Sequence, residues 1–522
     1  MTGSWRLHKV IPCLAASHYD SRMPPLPEAL YRAADARTAD ARAVEQYHVA
    51  GARLMGRAGQ AAFELLRQRW PRARRIALVC GPGNNGGDGF VIADLLRDAG
   101  LTPVVMVADP AAVWRGDAGD ARIALERDGI VAHPFAAAAL SDCELIVDAL
   151  FGTGLTRPLE EPWRGMIEAI NASDLPVLAI DLPSGLHADT GRVLGAAVRA
   201  SATISFIALK AGTFTGSGRA HAGEIAFHDL RLPAGVLDGL TPLARRITPA
   251  NLSGLLAPRA RDAHKGSVGR VLVVAGAAGM PGAARLTGEA AYRSGAGLVT
   301  VVTDPAHAAQ IAAARPELIA QGAASSAGLD EPLARAHAVV IGPGLGHGDW
   351  GRSLFERTLE ARAPLTLDAD ALNLLAREPV RRDDWVLTPH AGEAARLLGC
   401  GVDEVEADRF GVARAIVERY GGVCVLKGPG SLIAGPAAEP LWLCDAGNPG
   451  LATGGSGDVL AGAIGALLAQ GLAPVDAARV AVWCHARAGD RLAAVHGERG
   501  LLAGDLPPAL RAELNALVTV CA

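Results

Sequence analysis

RRIALVCGPGNNGGDGFVIADLLRDAGLTPVVMVAD, residues 74–109, decides the fold of this chain. A short apolar run leads into a glycine-rich loop, GPGNNGGDGF at 81–90. A helical pattern ended by Gly100 follows, and then a second apolar run, TPVVMVAD. Strands of four to eight apolar residues alternating with helices predict a parallel sheet with helices on both faces. Downstream, CELIVDALFGTG reads as strand then loop, EEPWRGMIEAIN as helix and LPVLAIDLPSG as strand then loop. ASATISFIALK and EIAFHDLRL finish this half as strands, and upstream Thr38–Trp70 suits one long amphipathic helix or two shorter ones. Between Leu232 and Arg270 the text turns Pro-, Gly- and Arg-rich without clear periodicity, which sets a boundary near 235–250. GRVLVVAGAAGMPGAARLTGEAAYRSGAGLVTVVT, 269–303, then restarts the strand, loop, helix, strand order.

Length agrees with two units. A chain of 522 residues exceeds one ordinary core, and two domains of about 200–280 residues are expected. Half the residues are hydrophobic and only 4% aromatic, which favours close helix-on-sheet packing. A net charge of −4 argues against a partner held by general electrostatics, so no nucleic acid is expected. No apolar span approaches about 18 residues, so no membrane span is expected either. The eight cysteines are scattered without a CxxC pair, which implies a reducing, cytoplasmic setting. Residues 1–22 read as a disordered extension, with Met23 as an alternative start.

Two glycine loops of unlike design, 81–90 and NPGLATGGSGDVLAG at 448–462, suggest two nucleotide-type sites. In the second half, GPGLG (342–346), DADALN (368–373), TPHAGE (388–393), KGPGS (427–431) and GGSGD (454–458) all fall at strand ends or helix starts. In open α/β sheets ligands bind at the carboxyl ends of strands. The amides of GGSGD can form an anion hole at a helix start, which sets Asp458 beside the transferred group as a base. An acidic helix cap is the other reading of Asp458. Asp368 and Asp370 read either as metal ligands or as helix caps, Asn448 as a turn cap and His485 as a core-helix histidine.

HKGSVGRVLVVAG, GAARLTGEAAYRSGAGLVTV, IGPGLG, LDADALN, TPHAGE and TGGSGDVLAG together resemble the ADP-dependent NAD(P)H-hydrate dehydratases of the ribokinase-like superfamily. The likeness runs from about Leu252 to about Leu510. It implies a ribokinase-like αβα domain, placed at 248–522, with Asp458 as base and Mg²⁺ offsetting phosphate charge. It further implies that Lys427, Gly428, Pro429, Gly430, Ser431 and Gly457 contact ADP or AMP. Ala283, Gly344, His390 and Asp458 would line the hydrate pocket.

The first loop is not the GxGxxG dinucleotide fingerprint, because Asn84, Asn85 and Asp88 fill it. Such residues bind ribose, amide or phosphate groups and offer oxygen to a cation, and they also suit an ordinary tight turn. Asp148, Asp181 and Ser184 stand at strand ends facing the same crevice. RLMGRAGQAAFELL, CGPGNNGGDGFVIADLL, DALFGTGLTRPLEEPWRGMIEAIN and IDLPSGLHADTG resemble NAD(P)H-hydrate epimerases over about 28–230. That resemblance implies a Rossmann-like three-layer αβα sandwich at 23–240. It assigns substrate contacts to Asn84, Asn85, Gly86, Gly87 and Asp88, and to Gly152, Thr153, Gly154, Leu155, Thr156, Arg157 and Pro158. Asp181 would contact substrate and act as acid/base, and Asn85, Asp148 and Ser184 would ligate K⁺. Trp163 stands where some relatives carry tyrosine, which removes a hydroxyl contact.

The joint expectation is a bifunctional repair enzyme. It would interconvert R- and S-NADHX or NADPHX and dehydrate the S form at the expense of ADP, giving AMP and phosphate. Homo-oligomers are expected from the same resemblance. The alternative is a ribokinase-like small-molecule kinase with a non-catalytic nucleotide-binding first domain.

Overall fold

The computed structural model describes residues 25–520; the expected extension at 1–22 lies outside them. A short strand, β1 (Ala29–Tyr31), leads into helices Ala33–Glu45 and Gly51–Arg69, so the two-helix reading of the N-terminal region holds. A seven-stranded sheet follows. It comprises β2 (Arg75–Cys80), β3 (Thr102–Val107), β4 (His133–Pro134), β5 (Leu145–Ala149), β6 (Val177–Ile180), β7 (Ala202–Phe206) and β9 (Glu224–His228). Its order is β4-β3-β2-β5-β6-β7-β9, parallel throughout. Ile76 to Cys80 and all of β5 and β6 are buried, as continuous apolar runs covered on both faces require.

The second sheet starts with β11 (Arg270–Val274), β12 (Leu298–Thr303), β13 (Ile319–Gly322), β14 (Ala338–Ile341), β15 (Leu365–Leu367), β16 (Trp385–Leu387) and β17 (Val423–Leu426). These are parallel, in the order β13-β12-β11-β14-β15-β16-β17. Strands β18 (Ser431–Ala434) and β19 (Leu441–Cys444) then run antiparallel. The sheet continues through β10 (Ala244–Arg246) and β1 to β8 (Leu209–Lys210), making twelve strands. Three pieces from outside the second α/β unit therefore extend its edge. Arg246 pairs with Asp445 at 2.7 Å across that join.

Two expectations need correction. Asn84–Asp98 is a helix, so the NNGGD residues form its opening turn rather than a loop before it. None of Gly86, Gly87 and Gly89 has positive φ. Their role is close approach: a Cβ on Gly86 would strike the Gly81 carbonyl, one on Gly87 would meet Met55, and one on Gly89 would meet Cys80. ASATISFIALK is not one strand, because Ile207 turns at φ 60 and Leu209–Lys210 leaves for the second sheet. KGPGS follows the end of β17, as expected, and turns between antiparallel strands. The stretch between Leu232 and Arg270, which lacks periodicity, still contributes β10 and a short helix Pro249–Leu252.

Candidate active sites

In the first sheet the strand order reverses between β2 and β5, and a cavity of about 910 Å³ opens where their carboxyl ends diverge. Pro82–Asn85 and Asp88 after β2 and Leu150–Glu161 after β5 line it, with Asp181 after β6, while Gly86 and Gly87 pack behind that lining. The structure thus brings Asn84, Asn85, Asp88, the 152–158 loop and Asp181 to one pocket. A Cβ on Gly152 would sit 3.4 Å from Asp181 Oδ2 and 3.7 Å from the Asn85 side chain, so bare backbone separates those two groups. Arg37 on the helix Ala33–Glu45 donates to the Thr153 carbonyl at 3.2 Å, tying that helix to the loop. Trp163 packs edge-on against Phe151, with ring centroids 5.0 Å apart.

Asp181 adopts φ 71, a left-handed conformation that aspartate tolerates better than most residues. Its carboxylate accepts from Lys210, which is 2% exposed and also donates to the Phe206 carbonyl at 3.0 Å. Sequence reasoning missed Lys210; its signal was a lysine closing an apolar run. It also missed Asp40, which lines the same pocket from the helix Ala33–Glu45. Burial, partly offset by Lys210 and reinforced by Asp181, pushes the Asp40 carboxyl up to about 6. Burial and then Asp181 and Asp40 push Asp88 well above the usual carboxylate range. Three carboxylates share one lysine.

Beneath them lie the residues expected at a potassium ion. Asn85 is buried, and neither its side-chain oxygen nor its nitrogen has a hydrogen-bond partner. Asp148 is fully buried and accepts from Ser184 Oγ at 2.6 Å and Ser184 N at 2.8 Å. Burial still lifts its carboxyl to about 6 despite those bonds. An orphaned amide oxygen and an unneutralised carboxylate fit a hard monovalent cation.

The second sheet reverses between β11 and β14. There the helix Pro281–Arg293 and the loop after β14 bring Ala283 and Gly344 together: a Cβ on Gly344 would lie 3.2 Å from that of Ala283. Gly344 holds φ 55, a conformation glycine adopts without strain. Helix Ser456–Ala469 begins at Gly455, which has φ 89. Gly455, and not Asp458, is therefore the cap, and among the described residues the Asp458 side chain makes no capping hydrogen bond. Gly462 lets this buried helix meet the Thr287 carbonyl, which fixes it against Pro281–Arg293. His485 Nε2 lies 3.0 Å from the Ser456 carbonyl, and burial lowers its pKa to about 4. It is a neutral core histidine that pins the helix start.

Lys427 Nζ donates to Asp368 Oδ1 at 2.6 Å and lies 3.9 Å from Glu393. Burial works against its charge, but those two carboxylates carry its pKa above the ordinary value. A Cβ on Gly457 would sit 3.3 Å from Lys427 Nζ and 3.4 Å from Asp368 Oδ2, so the 427–431 turn and the GGSGD helix start converge. Burial first, and Asp368 second, raise the Asp458 carboxyl to about 7. Asp370 accepts from Gly346 N at 2.8 Å and pairs with His347. His390 caps the helix Ala391–Leu398, accepting from Gly392 N at 3.0 Å, and Asn448 caps the turn at Gly450. Among the described residues no three His, Cys, Asp or Glu side chains converge as a metal site. Nor is any described helix long and apolar enough to cross a membrane.

Comparisons with known proteins agree with both halves. Residues 271–511 match the NAD(P)H-hydrate dehydratase family, and residues 51–212 match the YjeF-related protein N-terminus family. A bifunctional NAD(P)H-hydrate repair enzyme of Coxiella burnetii is 47% identical over 462 residues, covering 88% of this chain and 94% of that protein. Its Escherichia coli namesake is 43% identical, with 95% of each chain covered. The crystal structure of the ADP/ATP-dependent NAD(P)H-hydrate dehydratase from Bacillus subtilis, co-crystallised with ATP and Mg²⁺, is 31% identical. It covers 52% of this chain and 97% of its own, with a TM-score of 0.48.

Proposed function

The chain belongs to the bifunctional NAD(P)H-hydrate repair enzymes, and from that premise we propose how its residues divide the work. The enzyme repairs hydrated NADH and NADPH with an epimerase in the first half and an ADP-dependent dehydratase in the second. We assign the epimerase to 23–240 and the dehydratase to 248–522. The kinase alternative has no comparable support, since relatives spanning both halves are named repair enzymes.

The observation that carries the dehydratase assignment is the convergence of Asp458, Gly457, Lys427 and Asp368 at one helix start. Asp458 takes the proton from the C6 hydroxyl of the hydrate, and the oxygen attacks the terminal phosphorus of ADP. The bond to the bridging oxygen breaks and AMP leaves. The C6 phosphate, a far better leaving group than hydroxide, then departs as C5 loses a proton, which restores the reduced nicotinamide. Gly454, Gly455 and Gly457 supply amides at the positive end of the helix, and Lys427 supplies charge to the phosphates. Lys427 with Gly428, Pro429, Gly430 and Ser431 holds the nucleotide, and Ala283, Gly344 and His390 border the hydrate. Mg²⁺ would travel with the nucleotide and would offset its phosphate charge.

In the first pocket Asp181 takes the C6 hydroxyl proton as the C6–N1 bond opens to an aldehyde, the electron pair passing to N1, and returns it when N1 adds back to the other face; Lys210 fixes its charge and direction. Asp40 is the second proton-carrying group of the pocket. Potassium, held by Asn85, Asp148 and Ser184, would supply positive charge beneath the substrate. Self-association and a cytoplasmic location stay part of the proposal; they rest on the family resemblance and, for the location, on free thiols at all six described cysteines.

The test mixes R- and S-NADHX with the enzyme and follows the reduced-nicotinamide absorbance with and without ADP. Complete recovery that requires ADP supports the assignment. No recovery, or a stable phosphorylated product, overturns it. Replacing K⁺ by a large organic cation should slow epimer exchange while leaving dehydration of purified S-NADHX intact.

A further inference from the structure

Residues 209–216 follow the last buried strand of the first core, yet they are built into the glycine turn of the second half. Thr215 is fully buried, and its Oγ1 lies 3.1 Å from the Gly430 carbonyl and 3.3 Å from that of Pro429. Gly216 N donates to the Pro429 carbonyl at 2.9 Å. From the other side, Arg409 opens the helix Arg409–Tyr420 with no exposure at all. Its Nε donates to Thr215 Oγ1 at 3.0 Å, and its Nη2 lies 3.1 Å from the Lys427 carbonyl and 3.3 Å from that of Leu426. Gly428 and Gly430 have φ 143 and 65, and a Cβ on Gly430 would strike the Phe214 carbonyl.

Peptide planarity turns these contacts into a statement about the turn's donors. Each carbonyl shares a rigid plane with the next residue's N–H. Holding the carbonyls of Leu426, Lys427, Pro429 and Gly430 therefore orients the N–H groups of Lys427, Gly428, Gly430 and Ser431. The remaining plane, between Gly428 and Pro429, has no N–H to orient. The Lys427 amide is taken by the Pro389 carbonyl at 2.8 Å and the Gly428 amide faces Ser431 Oγ at 3.3 Å, so the donors left to a ligand are those of Gly430 and Ser431, aimed by Thr215 and Gly216. A glycine-rich turn left alone would lose that alignment to conformational freedom.

We propose that Thr215 and Arg409 are positioning residues for the nucleotide, through which the epimerase half helps shape the dehydratase's ADP site. This rests on the reading that the 427–431 turn holds ADP. Neither residue touches the reacting atoms. Lys210, paired with Asp181 in the first pocket, stands five residues before Thr215, and Thr213 Oγ1 donates to its carbonyl at 2.7 Å. One short strap therefore serves both sites.

The test uses the full chain. Thr215→Val removes the hydroxyl at constant shape, and Thr215→Ser keeps it. Calorimetric ADP binding and dehydratase kinetics should show Kd and KM for ADP raised about tenfold in Thr215→Val, as expected for losing one or two hydrogen bonds. Turnover at saturating ADP and epimer exchange should stay near wild type, and Thr215→Ser should restore the affinity. Arg409→Lys, which keeps charge but loses the fork, should give the same split and serves if Thr215→Val does not fold. Lys427→Ala separates the two layers. If it weakens ADP binding while Thr215→Val and Arg409→Lys do not, the positioning role is wrong and the turn still binds nucleotide. If none of the three weakens ADP, both readings fall.

Discussion

Lys427 Nζ donates to Asp368 Oδ1 at 2.6 Å, and this pair stands beside Asp458 without neutralising it. The Asp458 carboxyl is lifted to about 7 by burial and then by Asp368, with Lys427 opposing and Asp370 adding slightly. A base works in its ionised form. Dehydration of S-NADHX should therefore fall with a midpoint near pH 7, losing about tenfold per unit below it, and level off above. A rate profile in kcat/KM for S-NADHX at saturating ADP reads this directly. Asp458→Asn should lose about 10²–10⁴-fold and keep epimer exchange.

Asp368→Asn should move that midpoint down. The substitution removes the like charge that raises Asp458 and frees the Lys427 ammonium, and both changes favour the carboxylate. Turnover will drop if Lys427 loses its direction, but the shift of the limb is a separate quantity. An unmoved limb in Asp368→Asn would assign it to another group.

Two glycines of the first loop should behave oppositely when changed to alanine. Gly86 has no room, because a Cβ there meets the Gly81 carbonyl, while Gly83 has nothing within 4 Å and φ −104. Gly86→Ala should cost about 1–3 kcal/mol or more by overpacking and lower epimer exchange by shifting the helix Asn84–Asp98. Gly83→Ala should leave stability near wild type. Thermal denaturation of the two variants side by side is the measurement.

Both sheets were legible because apolar runs, glycine punctuation and helical spacing are local signals. Asp148, Asp181 and Ser184 at strand ends, and Asp458 at a helix start, were legible for the same reason. What escaped was carried by long-range pairing. Lys210 meets Asp181 only because the chain turns at Ile207 and crosses to the other sheet in a two-residue strand, too short to leave a period. Asp40 looks like the polar face of an amphipathic helix until that helix is laid across the pocket. Asp368 carried two open readings, and its partner Lys427 lies 59 residues away. The NNGGD turn was misplaced as loop because its glycines serve packing rather than positive φ.

Lys210→Met should abolish epimer exchange and destabilise the first half. Lys210 is 2% exposed, and removing it leaves Asp181 among Asp40 and Asp88 without its ion-pair partner. Stranding a largely buried carboxylate in this way costs about 3–5 kcal/mol. With mixed R- and S-NADHX and ADP, recovery should stop at the S share, and a second addition of S-NADHX should restart it. That restart shows the dehydratase is alive and the block lies in exchange. Adding Asp181→Asn to Lys210→Met should return much of the lost stability, since no stranded charge remains, yet leave exchange absent. Non-additive stability with unchanged loss of activity is the signature of a pair that is both structural and catalytic. If Lys210→Met alone exchanged epimers at the wild-type rate, Asp181 would need no lysine and its role as acid/base would have to be reassigned.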